Sequence, residues 1–179
     1  QKRMISCLRQ MPVKKTGSCG RHYSKLQQLK FVDSLHAVIF GEGSNNIIME
    51  SVDAKTRKEA IMLSAGYAPV MGRDSGIYNS IFCRLRTQTQ GAAAVSLMAE
   101  ELWNVVLRDL TDETTAPGYS VVLGKSSDMT VRGVRSNRVA VITTDVCDGL
   151  FLSNLQCGGT PLTRQKSNTR SYLEEKIGY

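Results

Sequence analysis

The chain has 179 residues, room for one ordinary domain with extensions and too little for two independent enzymatic domains. Hydrophobic residues make up 41% and charged ones 22%, close to globular averages, and the longest apolar run falls well short of the roughly 18 residues a membrane span needs. A soluble, core-forming protein is expected, and its net charge of +7 is unevenly spread.

Residues 1–32 carry eight basic side chains and no acid, from Asp33 to Leu155 there are 11 basic and 14 acidic residues, and 156–179 holds four basic and two acidic. A near-neutral body between a basic arm and a basic tail is the charge pattern of a polyanion binder. The five cysteines, Cys7, Cys19, Cys83, Cys147 and Cys157, form an odd set without a Cys-x-x-Cys pair. Neither a disulfide framework nor a ribbon-type zinc site is signalled, and a reducing compartment fits best. The first 30 residues, rich in Arg, Lys and Ser, have the composition of an organelle transit peptide or of a nucleic-acid-binding arm.

In chain order, Leu35 to Phe40 reads as a buried strand, Gly41 to Asn45 as a turn, Asn46 to Val52 as a second strand and Ala60 to Leu63 as a third. Together they suggest an antiparallel meander. Gly66 to Arg86 reads as a long exposed loop. Ala92 to Leu110 is expected to be a helix, with Ala94, Met98, Leu102, Val105 and Val106 near one face, Thr89 capping its start and Trp103 as packing. Tyr119 to Leu123 is a strand, Ser127 to Asn137 a second helix, Arg138 to Thr143 a last strand, and the chain beyond Thr144 is irregular. The implied fold is α/β: a mixed sheet, meander followed by helix-strand-helix-strand, covered by helices. Domain bounds are a basic extension over 1–33, the α/β domain over 34–155 and a tail over 156–179.

Three enzyme-like signals are weak. Gly124-Lys125-Ser126 lacks the correctly spaced earlier glycine of a phosphate-binding loop, and Val121 and Val122 before it belong to a strand. Gly41-Glu42-Gly43 lacks the third glycine of a dinucleotide fingerprint. Asp53, Glu100 and Asp145 follow the order of carboxylates in two-metal nucleases, which makes a ribonuclease H-like metal-dependent nuclease the alternative reading. His36, inside an apolar strand, reads as a core histidine.

A wider set of small polar and basic residues falls at element ends: Asn45-Asn46, Ser64 to Tyr67, Arg84 and Arg86 with Thr87 and Thr89, and Lys125-Ser126-Ser127. Glycine permits close backbone approach, Asn and Ser reach phosphate and 2′-hydroxyl oxygens, and Arg binds phosphate bidentately. At these residues the chain resembles the family of small-subunit ribosomal protein eleven. The resemblance is carried by Leu35-His36-Ala37, Asn45-Asn46-Ile47-Ile48, Asp53, Ser64-Ala65-Gly66, Arg86-Thr87, Ala92-Ala93-Ala94, Ala99-Glu100-Glu101, Val121 to Lys125 and Thr144-Asp145-Val146, over about residues 35–165. Departures lie in the long Gly66 to Arg86 loop, at Ser126-Ser127-Asp128, and at Cys157 to Pro161, where the family's terminal motif is faint.

The resemblance implies a ribonuclease H-like fold without catalysis or cofactor. It also implies a place on the platform of a mitochondrial small subunit near the mRNA exit, beside small-subunit rRNA and neighbouring ribosomal proteins. The RNA-contacting residues expected on this reading are Lys14, Lys15 and Arg21 in the arm, Asn45, Asn46, Ser64, Gly66, Tyr67, Gly72, Arg73, Arg84, Arg86, Thr87, Thr89, Lys125, Ser126, Arg132 and Arg135 in the body, and Arg164, Lys166 and Arg170 in the tail. No catalytic or metal-binding residue is expected.

Overall fold

The computed structural model describes residues 24–40, 45–64, 77–91, 95–145, 147–158, 163–164 and 171–174. Among these the regular elements are all strands. Long strands β1 (Ser24–Ser34), β3 (Ile47–Thr56), β5 (Ile77–Thr89), β7 (Leu102–Asp112), β9 (Ser126–Ser136) and β12 (Leu150–Cys157), followed by the four-residue β14 (Ser171–Glu174), lie side by side in that order, with the short β11 (Cys147–Asp148) paired to β9. Shorter strands β2 (Val38–Phe40), β4 (Ile61–Ser64), β6 (Leu97–Glu100), β8 (Tyr119–Leu123), β10 (Val139–Thr143) and β13 (Thr163–Arg164) make a second sheet in chain order. Every pairing in both sheets is parallel.

The chain therefore alternates between two sheets and advances by one strand in each at every circuit. Tyr78 faces Trp103, Trp103 faces Ser127 and Thr130 faces Phe151, so circuits are 25, 24 and 21 residues long. Between Ile48 and its partner Ile81 the step is 33. Such a coil of stacked rungs is a β-solenoid, in which each rung buries its apolar face against its neighbours.

A repeated side-chain pattern makes the long strands. In β5 the inward residues are Ile77, Ser80, Phe82 and Leu85, in β7 Leu102, Val105, Leu107 and Leu110, and in β9 Ser126, Met129, Val131 and Val134. Cys147, Leu150, Leu152 and Leu155 repeat it on the next rung. The gaps are three, two, three. A flat strand alternates strictly, and here each gap of three contains one residue with positive φ. These are Asn79 and Arg84, Asn104 and Asp109, Asp128 and Gly133, Gly149 and Asn154. Each such residue bends the strand and interrupts the strict in-and-out alternation. The bends stack into two columns, one from Asn46 to Gly149 and one from Gln28 to Asn154. Asn, Asp and Gly tolerate this conformation best.

In-register parallel pairing also stacks the core. Met49, Phe82, Leu107, Val131 and Leu152 form one buried column, and Val52, Leu85, Leu110, Val134 and Leu155 another. Val38, Ile61, Leu97, Val121 and Val141 close the core from the second sheet. Each of the larger side chains contributes roughly 1.5–3 kcal/mol relative to exposure. Where the chain passes from the first sheet to the second, Asp112 and Arg138 form a buried ion pair, with side chains 0% and 1% exposed. Asp112 Oδ2 accepts from Arg138 Nε at 2.8 Å and Ser120 Oγ at 2.7 Å, and Arg138 Nη2 donates to Ser96 Oγ at 3.0 Å. This cluster satisfies polar groups from three successive rungs at one corner.

The α/β expectation is thus corrected. The residues read as a helix over Ala92 to Leu110 form β6 and most of β7 where described, and those read as a helix over Ser127 to Asn137 form β9. The three-two-three spacing explains the error, since it approximates the three-and-four spacing of a helical face. Strands are present over most of Asn46 to Val52, Ala60 to Leu63, Tyr119 to Leu123 and Arg138 to Thr143, and of Leu35 to Phe40 only Val38–Phe40 is strand, with Leu35 exposed; no antiparallel meander joins the first three. β2 pairs β4, whereas β3 lies between β1 and β5 in the other sheet. The loop expected as far as Arg86 gives way to β5 from Ile77, and the irregular segment after Thr144 contains β12. The solenoid also includes β1, inside the segment read as an extension, and β14 in the tail.

Candidate anionic-polymer interface

The bend column at Arg84, Asp109 and Gly133 carries a row of arginines. Arg108 precedes Asp109, Arg132 precedes Gly133, and Arg86 and Arg135 lie two residues beyond their bends. Arg108 and Arg132 are exposed and directly in register on β7 and β9. Their α-carbons are therefore about 4.8 Å apart, the spacing of neighbouring strands. Like charges opposite one another in a sheet are unfavourable. Among the described residues neither arginine has an ion pair or side-chain hydrogen bond, and the same holds for Arg135.

The remaining arginines of this edge are compensated. Arg84 pairs with Glu50 and donates through Nε to Ser51 Oγ at 3.2 Å. Arg86 donates to Glu113 Oε1 at 2.8 Å. That hydrogen bond, reinforced by the charge of Glu113, holds the Arg86 guanidinium above its ordinary range. Lys30, Asp53, Lys55, Arg86 and Glu113 line a shallow cleft of about 230 Å³ in which the two signs alternate. Electrostatically, the edge offers a like-charged pair that an anion would bridge, flanked by satisfied ion pairs.

From this edge the outward side of the strands extends to the other bend column. Its outward side chains along the middle are Ile48, Ile81, Val106, Thr130 and Phe151, in register on successive strands. Ile48 and Ile81 are 36% and 37% exposed. At the far corner stand Asn45, Tyr78, Trp103 and Ser127, beside Asn46, Asn79 and Asn104. Asn45 Nδ2 donates to Tyr78 Oη at 2.9 Å, and Asn104 Nδ2 to Asn79 Oδ1 at 2.8 Å. The face is thus cationic on one edge, apolar in the middle, and aromatic and amidic on the other edge.

The residues expected to contact RNA are distributed unevenly over this surface. Arg84, Arg86, Arg132 and Arg135 come together along one edge, and Asn45 and Asn46 stand at the opposite corner. Lys125 is exposed elsewhere, in a cleft with Glu101 and Asp145. Thr87, Thr89 and Ser126 are corrected: they are 1%, 5% and 4% exposed and face inward. Thr89 N–H donates to Thr114 Oγ1 at 2.9 Å, and Leu102 N–H to Ser126 Oγ at 3.4 Å. Ser64 lies in β4 and Arg164 in β13, and only their backbone is described. Lys14, Lys15, Arg21, Gly66, Tyr67, Gly72, Arg73, Lys166 and Arg170 lie outside the described residues.

The nuclease carboxylates do not share a site. Asp53 stands beside Arg86 in one cleft, Asp145 lines another with Lys125, and only the backbone of Glu100 is described. Among the described residues no group of three or more His, Cys, Asp or Glu could hold a metal. His36 is half-buried, with Nδ1 2.9 Å from the Glu59 carbonyl oxygen. Sequence reasoning missed Arg108 and gave Trp103 a packing role. Their signal was positional: Trp103 lies one residue before the bend at Asn104, and Arg108 one before the bend at Asp109.

The fold and this surface together define a parallel β-solenoid with one laterally polarised face. No protein-family model, curated protein or solved structure matches the chain.

Proposed function

We propose that this solenoid is a binding scaffold for an extended anionic polymer, held along the stack of rungs with its charges on the Arg108 and Arg132 edge. The observation that carries the reading is that in-register pair: two exposed guanidinium groups one strand apart, without a counter-ion among the described residues. Stacked repeats present long regular surfaces suited to polymers, and arginine binds phosphate or carboxylate bidentately. The residues from Asp33 to Leu155 carry a slight excess of acid, so attraction is local to this edge and not a property of the whole surface.

The expectation of a structural role on mitochondrial small-subunit rRNA came from motifs ordered on a ribonuclease H-like fold. In the solenoid those motifs sit on different rungs and faces, so what this proposal keeps from the resemblance is polyanion binding.

The test is affinity of the full chain for a labelled anionic polymer as a function of salt, in wild type and in R108Q/R132Q. The variant should bind more weakly, with the salt slope reduced by about one unit for each lost phosphate contact. Unchanged affinity and slope in R108Q/R132Q would refute the assignment.

A further inference from the structure

We infer that the polymer is a single-stranded nucleic acid, its phosphates over Arg108 and Arg132 and its bases over Ile81, Val106 and Trp103. This inference rests on the anionic-polymer reading and adds the ligand's class and orientation. The argument is one of matching asymmetry. A single strand is charged along one edge and exposes flat, apolar base faces beside it, and proteins that hold such strands pair a cationic track with stacking surfaces. The solenoid face has the same order across its width: arginines, then an in-register apolar column, then Trp103 with its neighbouring amides.

Duplex nucleic acid turns its phosphates outward and hides its base faces, so it would leave the apolar column in water. A sulfated polysaccharide would use the arginines and gain little from the apolar column.

The far corner supplies a second, independent observation. Asn104 Nδ2 donates to Asn79 Oδ1, while Asn79 Nδ2 and Asn104 Oδ1 have no partner among the described residues. Both residues are exposed, on adjacent rungs at bends with φ 52 and φ 51, and one amide donor and one amide acceptor left open there suit the hydrogen-bonding edge of an unstacked base.

The experiment compares labelled single-stranded RNA, the same RNA as a duplex, and dextran sulfate, each against wild type, W103A, I81E and R108Q/R132Q, with far-UV circular dichroism as the folding control. The single strand should bind more tightly than duplex. W103A should weaken it by about five-fold or more, while leaving dextran sulfate affinity unchanged. I81E, at a surface position, should weaken single-strand binding in the same direction and serves as the readout if W103A does not fold. Equal binding of duplex and single strand, or single-strand affinity indifferent to the folded variants at Trp103 and Ile81, overturns the inference. The broader reading survives that result if R108Q/R132Q still weakens dextran sulfate. Preference for dextran sulfate over RNA also overturns the inference alone, and failure to bind any of the three overturns both.

Discussion

Replacing Arg138 with methionine probes how successive rungs are tied together. Methionine keeps much of the buried volume and removes the charge. What remains is the Asp112 carboxylate with its side chain fully buried, held by Ser120 Oγ at 2.7 Å and by the Thr114 N–H at 3.0 Å, without the two Arg138 donors at 2.8 and 2.6 Å. Breaking one side of a buried pair costs about 3–5 kcal/mol, because the surviving charge is uncompensated. A domain of ordinary stability has only about 5–15 kcal/mol in total. R138M should therefore lose a fifth or more of its stability, read as a lower urea midpoint with an unchanged m-value. The double variant D112N/R138M removes both charges and should be less destabilised than R138M alone, giving a coupling energy of about 0.5–3 kcal/mol in a double-mutant cycle. An R138M unfolding free energy within about 1 kcal/mol of wild type, or strictly additive effects, would refute the view that this corner is a coupled ionic cluster.

The bend columns make a second prediction. Gly149 has φ +65, and an added Cβ would lie 2.7 Å from Asp128 Oδ1; at Gly133, φ +69, it would lie 3.1 Å from Asp109 Oδ1. Alanine at either should cost about 1–2 kcal/mol from the left-handed backbone alone, more at Gly149, and urea titration showing a neutral G149A would contradict the assigned bend. A third prediction concerns Cys147, whose thiol is raised above its ordinary range by burial first and then by the charges of Asp145 and Asp148, against an opposing backbone hydrogen bond. Iodoacetamide should label half-buried Cys157 before Cys147 at mildly alkaline pH, as mass spectrometry would show. Because its folded-state value is raised, the thiol's contribution to stability is complete below the ordinary thiol range and is lost as pH rises through the raised value. The alkaline loss should therefore be smaller in C147A, and an identical pH profile for the two proteins would contradict it.

Sequence reading located five of the strands because Val38 to Phe40, Ile47 to Val52, Ile61 to Leu63, Tyr119 to Leu123 and Val139 to Thr143 are short apolar runs between breakers. It missed their pairing. Whether Ile48 lies beside Ile81 or folds back on Ile39 depends on stacking between residues a whole circuit apart, and no local pattern encodes that. The first supposed helix came from treating Leu102, Val105 and Val106 as one helical face, when Val105 is inward and Val106 outward on a bent strand. A search for recurrence would have exposed the repeat: Asn79, Asn104, Asp128 and Gly149 each lie two residues after a buried residue and one before the next.

The site was half legible for a related reason. Arg84 and Arg86 were picked at the end of an expected loop and Arg132 and Arg135 in an expected helix, and they meet because circuit length brings the same strand position back to the same edge. Thr87, Thr89 and Ser126 were picked at element ends, yet their positions are inward. Arg108 could be recognised only once its register with Arg132 was known.

The account's central claim is tested most directly by Trp103, the single tryptophan of the chain, which stands on the proposed face and reports on it without a label. Its emission should be quenched saturably as single-stranded RNA is added, with a midpoint that shifts to higher RNA concentration in R108Q/R132Q. Binding of RNA to the protein, seen by anisotropy, with no change in Trp103 emission would place the ligand elsewhere and contradict the account.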